Sequence, residues 1–286
     1  MKLKENRAFS FAVVAAIYLL VGALAVWLYT LLPFEPWLNV LIADVAATAL
    51  TFIFSLIFNN ASVYDPYWSV QPIVIAVCFA ITTPMTITRL LPLIAVCVWG
   101  IRLTVNWAYT FHSFEYQDWR YLMLKEKTGV FYPVINFLGI HMFPTLVVYA
   151  CMLPVIFTFT LDLTLNAGGI IFFALSIAAA ALQCVSDIQM HTYRKHRTGK
   201  FIRTGLWKYS RHPNYLGEIL MWWGIALAFV CAAPTMWYLA AGALANNLMF
   251  LFVSVPMADK RQSKKDGFEE YKKQTRMLLP IKKFAK

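Results

Sequence analysis

Apolar residues run in stretches of about 20 along almost the whole chain, separated by short polar segments. A helix rises about 1.5 Å per residue, so such a stretch crosses the ~30 Å hydrocarbon core of a bilayer. The runs predict membrane-spanning helices over roughly 8–31, 37–58, 68–84, 88–110, 134–160, 166–190, 215–233 and 235–256. Residues 217–256 are almost continuously apolar, and Ala233-Pro234-Thr235 offers the tight turn that divides them. The expected fold class is all-α: a polytopic integral membrane helical bundle of about eight transmembrane helices, with seven as the alternative. The termini and loops are too small for a separate soluble domain, so residues 1–286 read as a single transmembrane domain.

Composition agrees: 60% of residues are hydrophobic, 14% are charged, and mean hydropathy is +0.61. A soluble domain of this length must keep part of its surface polar and could not hide so much apolar side chain in one core. The net charge of +11 invites a nucleic-acid reading, but the placement of the charges argues against it. Of 25 basic residues, 23 lie before the first span, between spans four and five, between spans six and seven, or from Lys260 to Lys286. With eight spans these segments all fall on one side, as the positive-inside rule requires, and both termini are expected in the cytoplasm. The basic Met1–Arg7 precedes an apolar stretch too long for a signal peptide, so an uncleaved first helix is expected. Cys78, Cys97, Cys151, Cys184 and Cys231 are scattered through the spans without CxxC spacing, which indicates neither a disulfide framework nor a zinc site.

Charged groups in hydrocarbon cost a few kcal/mol even on lenient scales, so their positions are informative. Four places stand out. The segment from Asn59-Asn60 through Tyr64-Asp65-Pro66-Tyr67-Trp68 joins spans two and three without a basic residue, and its aromatics suit an interfacial belt. Trp99, Arg102, Asn106 and Tyr109 form one stripe on span four. Arg102 needs an anion there, either a structural carboxylate such as Asp65 or Asp44, or a bound phosphate. Gln183, Asp187, His191 and Arg194 share a face at the end of span six. Finally, Arg211-His212-Pro213-Asn214-Tyr215-Leu216-Gly217-Glu218 leads to Trp222; Pro213 suits the first helical position, and Asn214, Glu218 and Trp222 then share a face. A helix start presents free N–H groups, a natural phosphate seat.

Arg, Asn, Asp and Glu near the cytoplasmic interface suit a nucleotide-type cofactor. Neither GxGxxG nor GxxxxGK[ST] occurs, so no Rossmann or P-loop domain is expected; HExxH is also lacking and no metal site is expected.

Gln183…Asp187…Arg194, then Arg211-His212-Pro213-Asn214-Tyr215-Leu216-Gly217-Glu218…Trp222, then Glu270-Tyr271…Leu279-Pro280, resembles the C-terminal half of steroid 5α-reductases. The superfamily includes sterol reductases and isoprenylcysteine carboxyl methyltransferases. Asn59-Asn60…Tyr64-Asp65-Pro66-Tyr67-Trp68 and Trp99-Gly100-Ile101-Arg102 resemble the N-terminal signatures of its bacterial 5α-reductase-like branch. The resemblance covers about 57–282, leaves 1–36 as an extra N-terminal helix, and implies a bacterial inner membrane.

It also implies NADPH as cofactor, held by Arg102, Asn106, Gln183, Asp187, Arg194, Arg211, His212, Asn214, Tyr215, Glu218 and Trp222. Ungapped counting back from Arg102 puts the family's substrate-orienting acid at Asp65, with Tyr64 before it and the carbonyl-polarising tyrosine at Trp99; these are the expected catalytic residues. The implied activity is NADPH-dependent reduction of the C=C bond of a hydrophobic enone, a steroid-like or isoprenoid-like lipid entering from the bilayer. The Arg211-His212-Pro213-x-Tyr215 element also occurs in the methyltransferases, so an S-adenosylmethionine-dependent enzyme is the rival. A non-catalytic sterol- or lipid-binding membrane protein is the third reading.

Overall fold

The computed structural model describes residues 3–196 and 199–280; Lys2, Arg197 and the basic residues beyond 280 lie outside the described residues. Among the described residues there is no β-strand, and one isolated bridge pairs Ser210 with Arg276. Among the described residues, seven helical runs are long and apolar enough to cross a membrane: Arg7–Leu31, Pro36–Phe58, Ile87–Thr110, Trp119–Thr160, Ala167–His196, Pro213–Ala232 and Pro234–Gln262. The protein is thus a multi-pass membrane helical bundle. The third predicted span is a helix of only 16 residues, Tyr67–Thr82, about 24 Å long at 1.5 Å per residue. The predicted span 134–160 lies inside the longer run from Trp119.

The helices gather into two compact units, Met1–Asp162 and Leu163–Lys286. The first holds α1 (Arg7–Leu31), α2 (Pro36–Phe58), α3 (Tyr67–Thr82), α4 (Ile87–Thr110), α5 (Trp119–Thr128), α6 (Tyr132–Ile135) and α7 (Phe143–Thr160). Asn6 caps α1 by accepting from the Phe9 N–H. Asn39 closes the short α1–α2 connection, donating to Leu32 O and accepting from the Phe34 N–H. Asn59 ends α2 in the left-handed region at φ 50°, which an asparagine tolerates better than most residues. Asn60 then caps a 3₁₀ turn over Ala61–Val63, and its amide donates to Phe114 O and Tyr116 O. The Asn-Asn pair therefore stops one helix and fixes the loop before the next. Helices α3 and α4 meet at Gly100, where a Cβ would lie 2.7 Å from Ser69 O. A π-helical stretch, Asn136–Met142, leads into α7.

The second unit holds α8 (Ala167–His196), α9 (Pro213–Ala232), α10 (Ala241–Met249), α11 (Val255–Gln262) and α12 (Phe268–Gln274). Helices α8 and α9 pack antiparallel through residues spaced by seven on α8 and by four and seven on α9: Gly169, Ser176 and Gln183 against Ala228, Gly224 and Gly217. Small residues let two backbones approach where lipid gives no hydrophobic drive for association. A Cβ on Gly224 would lie 2.7 Å from Phe172 O, and one on Gly217 2.7 Å from Ala179 O. Asn166 staples the start of this pair, accepting from the Gly169 N–H and donating to Cys231 O. Gln189 and Ser186 hold the following loop, accepting from the Leu206 N–H and the Trp207 indole N–H.

Candidate functional site

In the N-terminal unit, Tyr64 and Asp65 follow one another in sequence but engage different helices. The Tyr64 hydroxyl lies 2.8 Å from Thr145 Oγ1, itself 2.9 Å from Thr48 Oγ1, and the Tyr64 ring packs on Tyr67 and His141. Asp65, half-buried in the α2–α3 loop, accepts a 2.6 Å hydrogen bond from Tyr121 of α5. Burial pushes the Asp65 carboxyl up to about 6, against the pull of the Tyr121 hydrogen bond and of the Arg120 charge. Asp65 has no basic neighbour in sequence, yet the chain brings Arg120 into its field. With a value near 6, about one carboxyl in ten carries a proton at pH 7.

Trp99 is fully buried in α4, its ring 6.3 Å from that of Trp68. Arg102 and Asn106 are half-buried and Tyr109 is exposed, on the single stripe their spacing predicts. Asp44, one structural carboxylate considered for Arg102, takes hydrogen bonds from Tyr67 (2.7 Å) and Gln71 (2.9 Å).

In the C-terminal unit, burial falls steadily along the α8 stripe. Gln183 is fully buried, Asp187 and His191 are half-buried, and Arg194 is exposed. Both polar atoms of the Gln183 amide lack a hydrogen-bond partner, as does Asn214 Oδ1 at the start of α9. The Gln183 side chain lies against Gly217, the residue before Glu218. Glu218, 5% exposed, accepts a 3.0 Å hydrogen bond from the Trp222 indole one turn further on. Tyr215 stacks on His212 with the rings 5° from parallel.

Arg211 and His212 are buried and converge on one carboxylate. Arg211 donates to both oxygens of Asp259 and to Thr275 O, and His212 Nε2 lies 2.9 Å from Asp259 Oδ1. Tyr271, in the predicted Glu270-Tyr271 motif, donates to Trp207 O. Asp259 was missed by sequence reasoning, because it directly precedes a run read only as a basic tail. The signal available was an acid in the last turn of an apolar helix, where a cation is favoured instead.

The half-buried acid of the first unit can exchange a proton near neutrality. The second unit presents a buried amide, a carboxylate and an indole at a helix pair too tight for a Cβ at Gly217. Residues 51–275 match the model of a family described as a protein of unknown function, DUF1295. The chain belongs to the DUF1295 family. No curated protein and no solved structure matches it. The DUF1295 region includes the Asn59–Trp68 loop, the α4 stripe and the C-terminal motif as far as Glu270-Tyr271, while α1 and the first part of α2, with Asp44, precede it.

Proposed function

We propose that this DUF1295 protein is a membrane-embedded, steroid 5α-reductase-like enzyme that reduces the C=C bond of a hydrophobic enone with NADPH. Gln183 carries the reading. An amide buried without a hydrogen bond costs about 1–3 kcal/mol in proteins. A ligand bearing hydroxyl and amide groups at this point would remove that cost, and NADPH bears both. Gln183, Asn214 and Glu218 would take those groups, with Trp222 fixing the Glu218 carboxylate. Arg194, Lys195 and Lys208, all exposed, supply positive charge suited to phosphates. Arg102, Asn106, Asp187 and Tyr215 keep the cofactor role that the family resemblance gives them. Arg211 and His212, held by Asp259, would act one step back, fixing the start of α9.

NADPH, when bound, supplies a hydride to the β-carbon of the enone. Asp65 is the acid that stabilises the developing enolate at the carbonyl oxygen, with Tyr121 orienting its carboxyl. Tyr64, tied to Thr145, and buried Trp99 would shape the wall behind it. With the 16-residue α3 counted as an eighth crossing, the one-sided basic segments support a cytoplasmic location for both ends, in a bacterial inner membrane, with the cofactor entering from that side and the lipid from the bilayer.

The test is thermal unfolding in detergent with NADPH, NADH, S-adenosylmethionine or no addition. NADPH at about 100 times its dissociation constant should add roughly 2.7 kcal/mol of stability, and NADH less. Stabilisation by S-adenosylmethionine with none from NADPH overturns the reading in favour of a methyltransferase.

A further inference from the structure

Helices α1, α2 and α3 line a cavity of about 250 Å³ in the N-terminal unit. Its walls are mostly apolar, among them Val21, Ala25, Val40, Ala47, Val70 and Phe79. Its deep end holds Asp44, 4% exposed, between Tyr67 and Gln71. Both partners are neutral donors, one to each carboxyl oxygen: Tyr67 Oη to Oδ1 at 2.7 Å and Gln71 Nε2 to Oδ2 at 2.9 Å. A carboxylate has about four acceptor positions, so two remain, and a donor is what this end of the cavity can bind.

Gly22 gives a second, independent indication. Gly100, Gly169, Gly217 and Gly224 each use the missing Cβ for close approach of another segment. At Gly22, in the middle of α1, a Cβ would meet nothing within 4 Å. Glycine in a helix interior costs about 1 kcal/mol relative to alanine, and here it leaves open space in the cavity wall. The cavity also has a side entrance: lining residues Val26, Val74 and Ile81 are 41%, 37% and 77% exposed. They are apolar, and Val26 sits on α1, one of the seven runs long enough to cross a membrane, so the entrance opens toward lipid.

We infer that this cavity binds an apolar lipid carrying one hydroxyl group, which donates to Asp44. Its volume lies just below the range of about 300–1,000 Å³ that encloses a whole drug-sized ligand. The cavity therefore takes the hydroxyl and the adjoining carbons, and the rest of the molecule runs out past Val26 and Ile81. Such binding needs no hydride chemistry and is independent of the reductase reading.

The experiment uses the full chain in phosphatidylcholine vesicles, photolabelled with a diazirine-bearing farnesol or its methyl ether, with labelled residues located by mass spectrometry. The alcohol should label the lining residues of α1 and α3 about five-fold more than the ether, the factor set by one net hydrogen bond of about 1 kcal/mol. Asp44→Leu should bring the alcohol down to the level of the ether. Gly22→Phe should occupy the open space and abolish labelling while its unfolding temperature in detergent holds or rises. Gly22→Leu, a smaller filler, replaces it if the phenyl variant unfolds early. Equal labelling by alcohol and ether overturns the inference, and so does labelling in a folded Gly22 variant equal to that of the wild type, which marks partition of the probe onto the lipid-facing surface.

Discussion

Tyr121 donates a 2.6 Å hydrogen bond to Asp65 across 56 residues of sequence, and this bond helps that acid give up its proton. It favours the ionised carboxylate and opposes the burial that raises the Asp65 pKa. Tyr121→Phe should therefore move the Asp65 titration above about 6. The carboxyl stretch followed by infrared difference spectroscopy against pH gives the midpoint directly. If Asp65 is the acid of catalysis, the rate falls as pH rises through its pKa, and Tyr121→Phe shifts that fall to higher pH.

The same shift has a stability consequence with a definite sign. The folded protein holds the Asp65 proton to about 6, whereas the ordinary value is 3.8. Between these values the folded state binds more protons than the unfolded one, so this group's contribution to stability declines as pH rises from about 4 to about 6. Asp65→Asn removes the titration, and its unfolding temperature should decline less than that of the wild type across this window. An unchanged profile would mean that Asp65 titrates alike in both states.

Asp65→Asn also separates chemistry from architecture. The amide keeps the size and accepts from Tyr121, but has no acidic proton. Enone reduction should drop on the order of 10²-fold or more, the scale of general acid catalysis, while NADPH binding is kept. Near-normal turnover, with an enone that the wild type reduces, would assign the proton to another group.

Gln183→Leu should leave the protein as stable as the wild type or more so, because an apolar residue of similar shape replaces an amide with no partner. The same change should weaken NADPH stabilisation at least as much as Arg102→Ala or Asp187→Ala does. A variant that loses stability yet binds NADPH normally would mark Gln183 as a structural group only.

Asp259→Ala leaves Arg211 and His212 buried without their shared carboxylate. Removal of one partner from a buried ion pair costs about 3–5 kcal/mol, so the variant should unfold far earlier in detergent. Asp259→Asn, which can still accept from both, should lose less.

How much of this was legible in the sequence follows from the range of the forces involved. Span positions are set by local run length, so predicted 8–31, 37–58 and 88–110 fall within a residue or so of α1, α2 and α4. The Ala233-Pro234 break between the last two spans was readable because proline interrupts a helix locally. The role of Pro213 at the first turn of α9 was readable for the same reason. Tyr121 with Asp65, and Asp259 with Arg211, are pairs 56 and 48 residues apart, and no periodicity joins them. The Asp44 cavity was hidden for another reason: it depends on which face of α1 turns inward, and a helix apolar all round carries no such mark.

The Asp259 clamp also imposes an order of events during synthesis. Arg211 leaves the ribosome 48 residues before Asp259 and 64 before Thr275, whose carbonyl completes its coordination. At about 5–20 residues per second, the last partner arrives roughly 3–13 s later. The counter-charge, Asp259, emerges after roughly 2–10 s, and until then the Arg211 guanidinium lacks this carboxylate. The final helices therefore act as a late latch: the clamp at the start of α9 closes only after α11, which carries Asp259, has been translated.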